Sequence, residues 1–285
     1  MLISTEIGSF YRYGDNKKVI KLLKDGGFEA CDFSMMLDNR NDAFIDKDNY
    51  IALAKDLRSF ADGENMIFNQ AHAPFPSAVP DNKEYNVRQI EFIKRALEVC
   101  GILGVKICVV HPCNYYSAER NAEEVYKPLE KVAADTGVMI GLENMWCWNN
   151  EKDCASFAAC SDPKSFCEHL DLLDEKLFCA CLDIGHAEMK GLGTSAEEMI
   201  LKLGNRLKAI HLHDNDRWHD MHKVPFICDI DYEPIIAAMK KVNYNGDITF
   251  ESDRFVSHLP LELYPAAVNY LVAIGKYFRS RLTTM

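Results

Sequence analysis

An α/β fold, a (β/α)8 TIM barrel spanning residues 1–285 as a single domain, is predicted by three observations. Short β-rich runs alternate with longer segments of helical period from one end of the chain to the other. Glycines stand where a helix should stop and the next strand begin: Gly26 and Gly27 before Phe28, Gly104 before Val105, Gly137 before Val138, Gly246 before Asp247. About eight such units over this length match the usual size of the barrel, ~250 residues. A doubly wound open sheet would carry a glycine-rich phosphate loop after an early strand, and neither G-x-G-x-x-G nor a P-loop occurs.

Each element has its own local signal. Strand segments are expected at 2–6, 28–33, 66–70, 105–110, 138–142, 177–182, 207–212 and 247–251, each a short β-rich run. The amphipathic stretches between them, 17–24, 50–60, 87–103, 121–136, 164–174, 196–202 and 232–242, have the apolar spacing of surface helices, and 261–278 closes the chain.

Of the 285 residues 48% are hydrophobic, enough apolar material for a large core. The formal charge is -11, which disfavours nucleic-acid coating or attachment to an anionic membrane surface. Eleven cysteines without C-x-x-C pairing read as reduced thiols, so a cytoplasmic location is expected. Residues 1–10 contain Glu6 and no basic stretch, unlike a signal peptide, and no apolar run approaches the roughly 20 residues of a membrane helix.

Function is read from the polar residues at the end of each apolar run. The third ends in His72-Ala73-Pro74, the fourth in His111-Pro112, the fifth in Glu143-Asn144 and the sixth in Asp183-Ile184-Gly185-His186. The seventh ends in His211-Leu212-His213-Asp214 and the eighth in Glu251-Ser252. In a βα barrel these positions share the C-terminal rim, where barrel enzymes keep their active sites. Imidazoles with carboxylates, and no thiolates, are the ligand chemistry of a divalent ion. Each histidine alone reads as an ordinary structural residue, but four of nine at strand ends, His72, His111, His186 and His211, make coincidence a poor account. His213 is expected to support a ligand, the Asp220-Met221-His222 step either to place two side chains on one side of an extended segment or to be a solvated polar loop, and His169 and His258 to be structural.

These motifs resemble the xylose isomerase-like TIM-barrel superfamily, which holds sugar and sugar-phosphate isomerases and epimerases together with the endonuclease IV-like apurinic-site nucleases (AP endonuclease family 2). The resemblance rests on Leu142-Glu143-Asn144, Asp183-Ile184-Gly185-His186, His211-Leu212-His213-Asp214, Asp220-x-His222-x-x-Pro225 and Gly246 to Ser252. For the epimerase branch it implies one divalent ion (Mn2+, Zn2+, Co2+ or Mg2+) held by Glu143, Asp183, His211 and Glu251. Glu143 and Glu251 would also serve as acid and base, and His186 would bind a substrate hydroxyl. For the nuclease branch it implies three zinc ions, adding His72, His111, His186, Asp220 and His222 as further metal or substrate residues. The chain departs from its resemblance at 226–232, where relatives carry a glycine-rich step, and at 145–150, an unusual Met-Trp-Cys-Trp-Asn-Asn.

The expected function is therefore metal-dependent isomerisation or epimerisation of a sugar or sugar phosphate through a metal-stabilised enediolate. The alternatives are a trinuclear-zinc phosphodiesterase and a non-catalytic carbohydrate-binding barrel. Charge separates the first two: rim-loop Arg12, Arg40, Arg217 and Arg254 are interleaved with Asp38, Asp42, Asp214 and Asp216, so no basic track for DNA emerges. Rim aromatics Phe10, Tyr11, Phe75, Tyr115, Trp146, Trp148 and Trp218 are candidates to stack on a sugar. The expected partner is a small sugar, without nucleic acid or membrane; self-association as a homo-oligomer stays open.

Overall fold

The computed structural model describes residues 1–37 and 44–283; Asp38, Arg40 and Asp42 lie outside the described residues. Among the described residues ten strands form in chain order: β1 Ile3–Thr5, β2 Ala30–Ser34, β3 Ile67–His72, β4 Ile107–Val109, β5 Met139–Glu143, β6 Cys147–Asn149, β7 Cys154–Ser156, β8 Phe178–Asp183, β9 Leu207–Leu212 and β10 Ile248–Phe250. Eight of them make one parallel sheet in the order β1-β10-β9-β8-β5-β4-β3-β2. A parallel Glu6–Asp32 bridge draws β1 and β2 together, so the sheet comes round to a nearly closed barrel.

Strand alternation divides the apolar side chains. Ile140 and Leu142, Ala180 and Leu182, Ile210 and Leu212 join the main core, to which the helices contribute Ala96, Leu97, Met199, Ile200, Ile235 and Val268. The opposite parity turns inward, where Ile107, Val109, Cys181 and Ala209 form a small separate cluster. One step further along the same inward rows stand His111, Glu143, Asp183 and His211. The chemistry at the rim is thus the last layer of the barrel's own filling.

Helices Asn16–Asp25, Tyr50–Gly63, Lys83–Leu103, Pro163–Asp171, Ala196–Leu203, Tyr232–Lys241 and Tyr264–Thr283 lie at the expected places. Lys83–Leu103 and Glu130–Thr136 stop on Gly104 (φ 77°) and Gly137 (φ 69°), left-handed caps that L side chains resist. Two differences from the sequence reading have local causes. The helix expected at 121–136 is broken into Ala118–Asn121, a wide turn Ala122–Tyr126, a tight turn Lys127–Leu129 and Glu130–Thr136. Pro128, which has no N–H to donate and crowds the preceding turn, accounts for the break. The unusual segment after Glu143 folds as the antiparallel hairpin β6–β7. Among the described residues no helix is long and apolar enough to cross a membrane.

Candidate metal centre

Glu143, Asp183, His211 and Glu251 each offer a ligand atom within 4.8 Å of the others. His211 Nδ1 lies 3.3 Å from Glu143 Oε1 and 3.0 Å from Glu251 Oε2. Glu143 Oε2, Asp183 Oδ2, His211 Nδ1 and Glu251 Oε2 are all buried without a well-formed hydrogen bond, the His211 Nδ1–Glu251 Oε2 approach and the His111 Nε2–Glu143 Oε2 approach at 3.1 Å being ion-pair contacts only. Orphaned polar atoms are costly in a barrel interior, and four at one place are satisfied together by a cation. Three carboxylates and an imidazole suit Mn2+, Zn2+, Co2+ or Mg2+, so the residues present fit a divalent ion.

The support beneath these atoms is built from the motif residues. Asn144 Oδ1 accepts from the Asp183 N–H at 2.7 Å, its Nδ2 donates to the Asp183 carbonyl at 2.9 Å, and its own carbonyl faces His186 Nδ1 at 2.9 Å. Asp183 Oδ1 caps the short helix Ile184–Ala187 by accepting from the His186 N–H and also meets His213 Nε2 at 3.0 Å, which leaves Oδ2 for the centre. His213 thus stands behind Asp183, as its strand parity implied. A Cβ on Gly185 would lie 2.0 Å from the His213 ring, which explains the glycine of the Asp-Ile-Gly-His step. His211 Nε2, on the far side of its ring, meets Gln70 Nε2 at 2.6 Å and Cys181 Sγ at 3.4 Å.

Two further groups flank the first. His72, His111 and Glu143 come together, His111 Nε2 lying 3.1 Å from Glu143 Oε2 and His72 Nδ1 3.0 Å from Asp32 Oδ1. His186, His213, Asp220 and His222 form the other, His222 Nε2 lying 3.0 Å from Asp220 Oδ2. The Asp220-x-His222 step is not extended: His222 is left-handed (φ 45°), and that reversal returns its ring onto Asp220. Asp214 organises this loop, its carboxylate accepting from the N–H groups of Ile227, Cys228 and Ile230, while Phe226 takes the positive φ (74°) that favours glycine. His219 turns outward onto Asp216 and Trp148, and His169 is held by Ser165 and Asn121.

Burial opposes charge on every group here, and the partners decide the outcome. Burial would raise Glu143, but His211 and His111 hold it well below the usual carboxylate range; Glu251 is lowered by His211, and Asp220 by His186 and His222. Burial would lower the imidazoles, but Asp32 raises His72 to about 9, and Asp183 and Asp220 raise His186 to about 10. Glu6 goes the other way: burial and nearby Glu251 push it up to about 7.

A cavity of about 520 Å3 opens beside the centre, lined by Glu6, Tyr11, Ser34, Phe75, Asp220 and Glu251 among others. Sequence reasoning missed Glu6 and Asp32 as site residues, although Glu6 ends the first strand run and obeys the same strand-end rule. Of the rim aromatics, Tyr11 and Phe75 line this cavity, and the Phe75 ring is 4.9 Å from that of His111. Phe10 is buried on Tyr264, Trp148 stacks on His219, Trp218 carries Lys190, and Tyr115 is exposed. Trp146 lies 6.4 Å from His186, ring to ring.

A parallel barrel with histidines and carboxylates gathered at its C-terminal mouth defines a class of metal-site barrels. Within it, the chain belongs to the xylose isomerase-like TIM-barrel family, whose model matches residues 20–273. An uncharacterised protein of Methanocaldococcus jannaschii is 30% identical over 71% of this chain and 71% of its own. The crystal structure of a D-tagatose 3-epimerase-like protein superposes with a TM-score of 0.75 at 20% identity, over 99% of this chain and 98% of that one. The IolI protein with a bound zinc atom gives 0.70 at 18% identity, over 99% and 98%.

Proposed function

We propose that the chain is a divalent-metal-dependent sugar or sugar-phosphate isomerase or epimerase, acting by proton transfer at a carbon next to a carbonyl. The observation that carries this reading is the convergence of Glu143, Asp183, His211 and Glu251, each with a buried ligand atom that makes no well-formed hydrogen bond. A divalent ion bound there would polarise the carbonyl and an adjacent hydroxyl oxygen and stabilise the enediolate left when the proton departs. Glu143 and Glu251, both held in the ionised range by His211, act as the pair that removes and returns that proton. Glu251 is the more accessible, 19% of its side chain exposed against 1% for Glu143, and it lines the cavity. His186, its Nδ1 facing the Asn144 carbonyl and its Nε2 3.5 Å from Asp220 Oδ2, is the imidazole that binds a substrate hydroxyl. The D-tagatose 3-epimerase-like and zinc-binding structural relatives support the sugar and metal classes. A cytoplasmic setting, where eleven free thiols stay reduced, accords with this.

The test is incubation with a panel of ketoses, aldoses and their phosphates in heavy water with Mn2+, Co2+, Mg2+ or Zn2+. Deuterium at the carbon beside the carbonyl is expected; no exchange across the panel, together with cleavage of abasic-site DNA, overturns the reading. A second reading, a three-ion phosphodiesterase, is favoured by one observation: His72 Nε2, His111 Nδ1 and Asp220 Oδ1 are also buried and unpartnered. Metal content of protein purified without chelator separates the two, at one ion per chain or three.

A further inference from the structure

We infer that Glu6 and Ser34 form a hydroxyl-reading subsite beside the metal centre, and that the substrate is an uncharged sugar and not a sugar phosphate. This rests on the sugar reading and narrows it. Glu6 directly succeeds β1 and Ser34 ends β2, the two strands joined by the Glu6–Asp32 bridge, and both line the cavity onto which Glu251 opens. Glu6 Oε2 is fixed by the Ser9 hydroxyl, which donates to it at 3.0 Å. Ser34 is 3% exposed, and its Oγ has no hydrogen-bond partner. A buried hydroxyl left unpaired in a cavity wall calls for a ligand donor or acceptor, and a carboxyl group in the same wall calls for a ligand hydrogen-bond partner. A sugar hydroxyl meets both demands at once.

The cavity's charge separates a free sugar from its phosphate. Glu6, Asp220, Glu251 and Asp253 line it. The cations in its wall are Arg254, which is exposed, and His222, already 3.0 Å from Asp220 and 3.2 Å from Asp253. One divalent ion offsets two of the three ligand carboxylates and His222 is shared by Asp220 and Asp253, so one ligand carboxylate and one of that pair stay uncompensated, joined by Glu6 where it is ionised. Among the described residues no buried guanidinium or lysine lines the cavity to receive a phosphate dianion, which would enter against like charge, whereas hydroxyls find acceptors.

The experiment measures kcat/KM of the metal-loaded enzyme for ketohexoses and ketopentoses, each paired with its terminal phosphate. The free sugar is expected to be preferred by at least about tenfold. Glu6→Gln should raise KM for the free sugar by about fivefold, more than it changes kcat, and should narrow the discrimination against the phosphate; Ser34→Ala should raise KM in the same way. Equal or better turnover of the phosphates overturns the inference while leaving the sugar reading in place. So does a Glu6→Gln enzyme with unaltered KM and unaltered discrimination. Exchange with neither member of any pair overturns the sugar reading and the subsite with it. The wild-type ratio needs no variant, so a misfolded substitution does not shelter the claim.

Discussion

Replacing Asn144 with Ala tests how the centre is held. Asn144 is buried, and its side chain pairs with both backbone groups of Asp183, at 2.7 Å to the N–H and 2.9 Å to the carbonyl. Truncation leaves that N–H and carbonyl buried and unpaired, at about 1–3 kcal/mol each, or about 2–6 kcal/mol together. Against a typical stability of about 5–15 kcal/mol this is a large fraction. Asp183 then loses the frame that aims Oδ2 at the other ligands, so metal affinity should fall by about 10–100-fold. Urea titrations of metal-free protein read the first effect, as a lower midpoint at constant slope, and competition with a chelating dye reads the second. Asn144→Asp keeps the volume and the acceptor for the Asp183 N–H but sets an oxygen against the Asp183 carbonyl. It should therefore also destabilise, without opening a cavity. A change in Asn144→Ala below about 0.5 kcal/mol, with metal affinity intact, would show that the clasp carries neither the fold nor the ligand.

The same geometry dictates three further outcomes. Gly185→Ala puts a methyl 2.0 Å from the His213 ring, so His213 must leave Asp183; metal affinity and thermal midpoint should both drop, and an unchanged midpoint in a melting curve would contradict the packing. His111→Gln or His222→Gln should leave measurable sugar turnover, whereas Glu143→Gln or Glu251→Gln should abolish solvent exchange and lower bound metal. Complete inactivity of His222→Gln, with loss of zinc beyond one equivalent, would assign the site to the three-ion class. A cation at the centre repels protons on the imidazoles around it, so protons and metal compete although His72 and His186 are not among the four ligands. His72 and His186 are raised from 6.5 to about 9 and about 10, so their contribution to metal-free stability is full below pH 6.5 and is lost as pH climbs through those values. The rise in melting temperature on adding metal should accordingly grow from pH 6.5 toward 9, and a flat difference between chelated and loaded samples over that range would refute it.

Much of the barrel and its rim was legible in the chain because those signals are local. Period-two runs, helical spacing and glycine stops act over a few residues, and barrel topology alone then sends His72, His111, Glu143, Asp183, His211 and Glu251 to one mouth. Pro128 was visible too, although its break in the helix was not expected. Other features depend on neighbours distant in sequence. Glu6 and Asp32 become site residues only when β1 closes against β2, and Gly185 has its reason in His213, which arrives from the next strand of the sheet. Phe226 holds a backbone conformation suited to glycine because Asp214 gathers the N–H groups just beyond it. Asn144 serves Asp183 across 39 residues. The periodicity of a chain determines which face each side chain takes; which buried polar atom finds a partner, and which is left for a metal or a hydroxyl, is decided only when barrel closure brings those faces together and excludes water from between them.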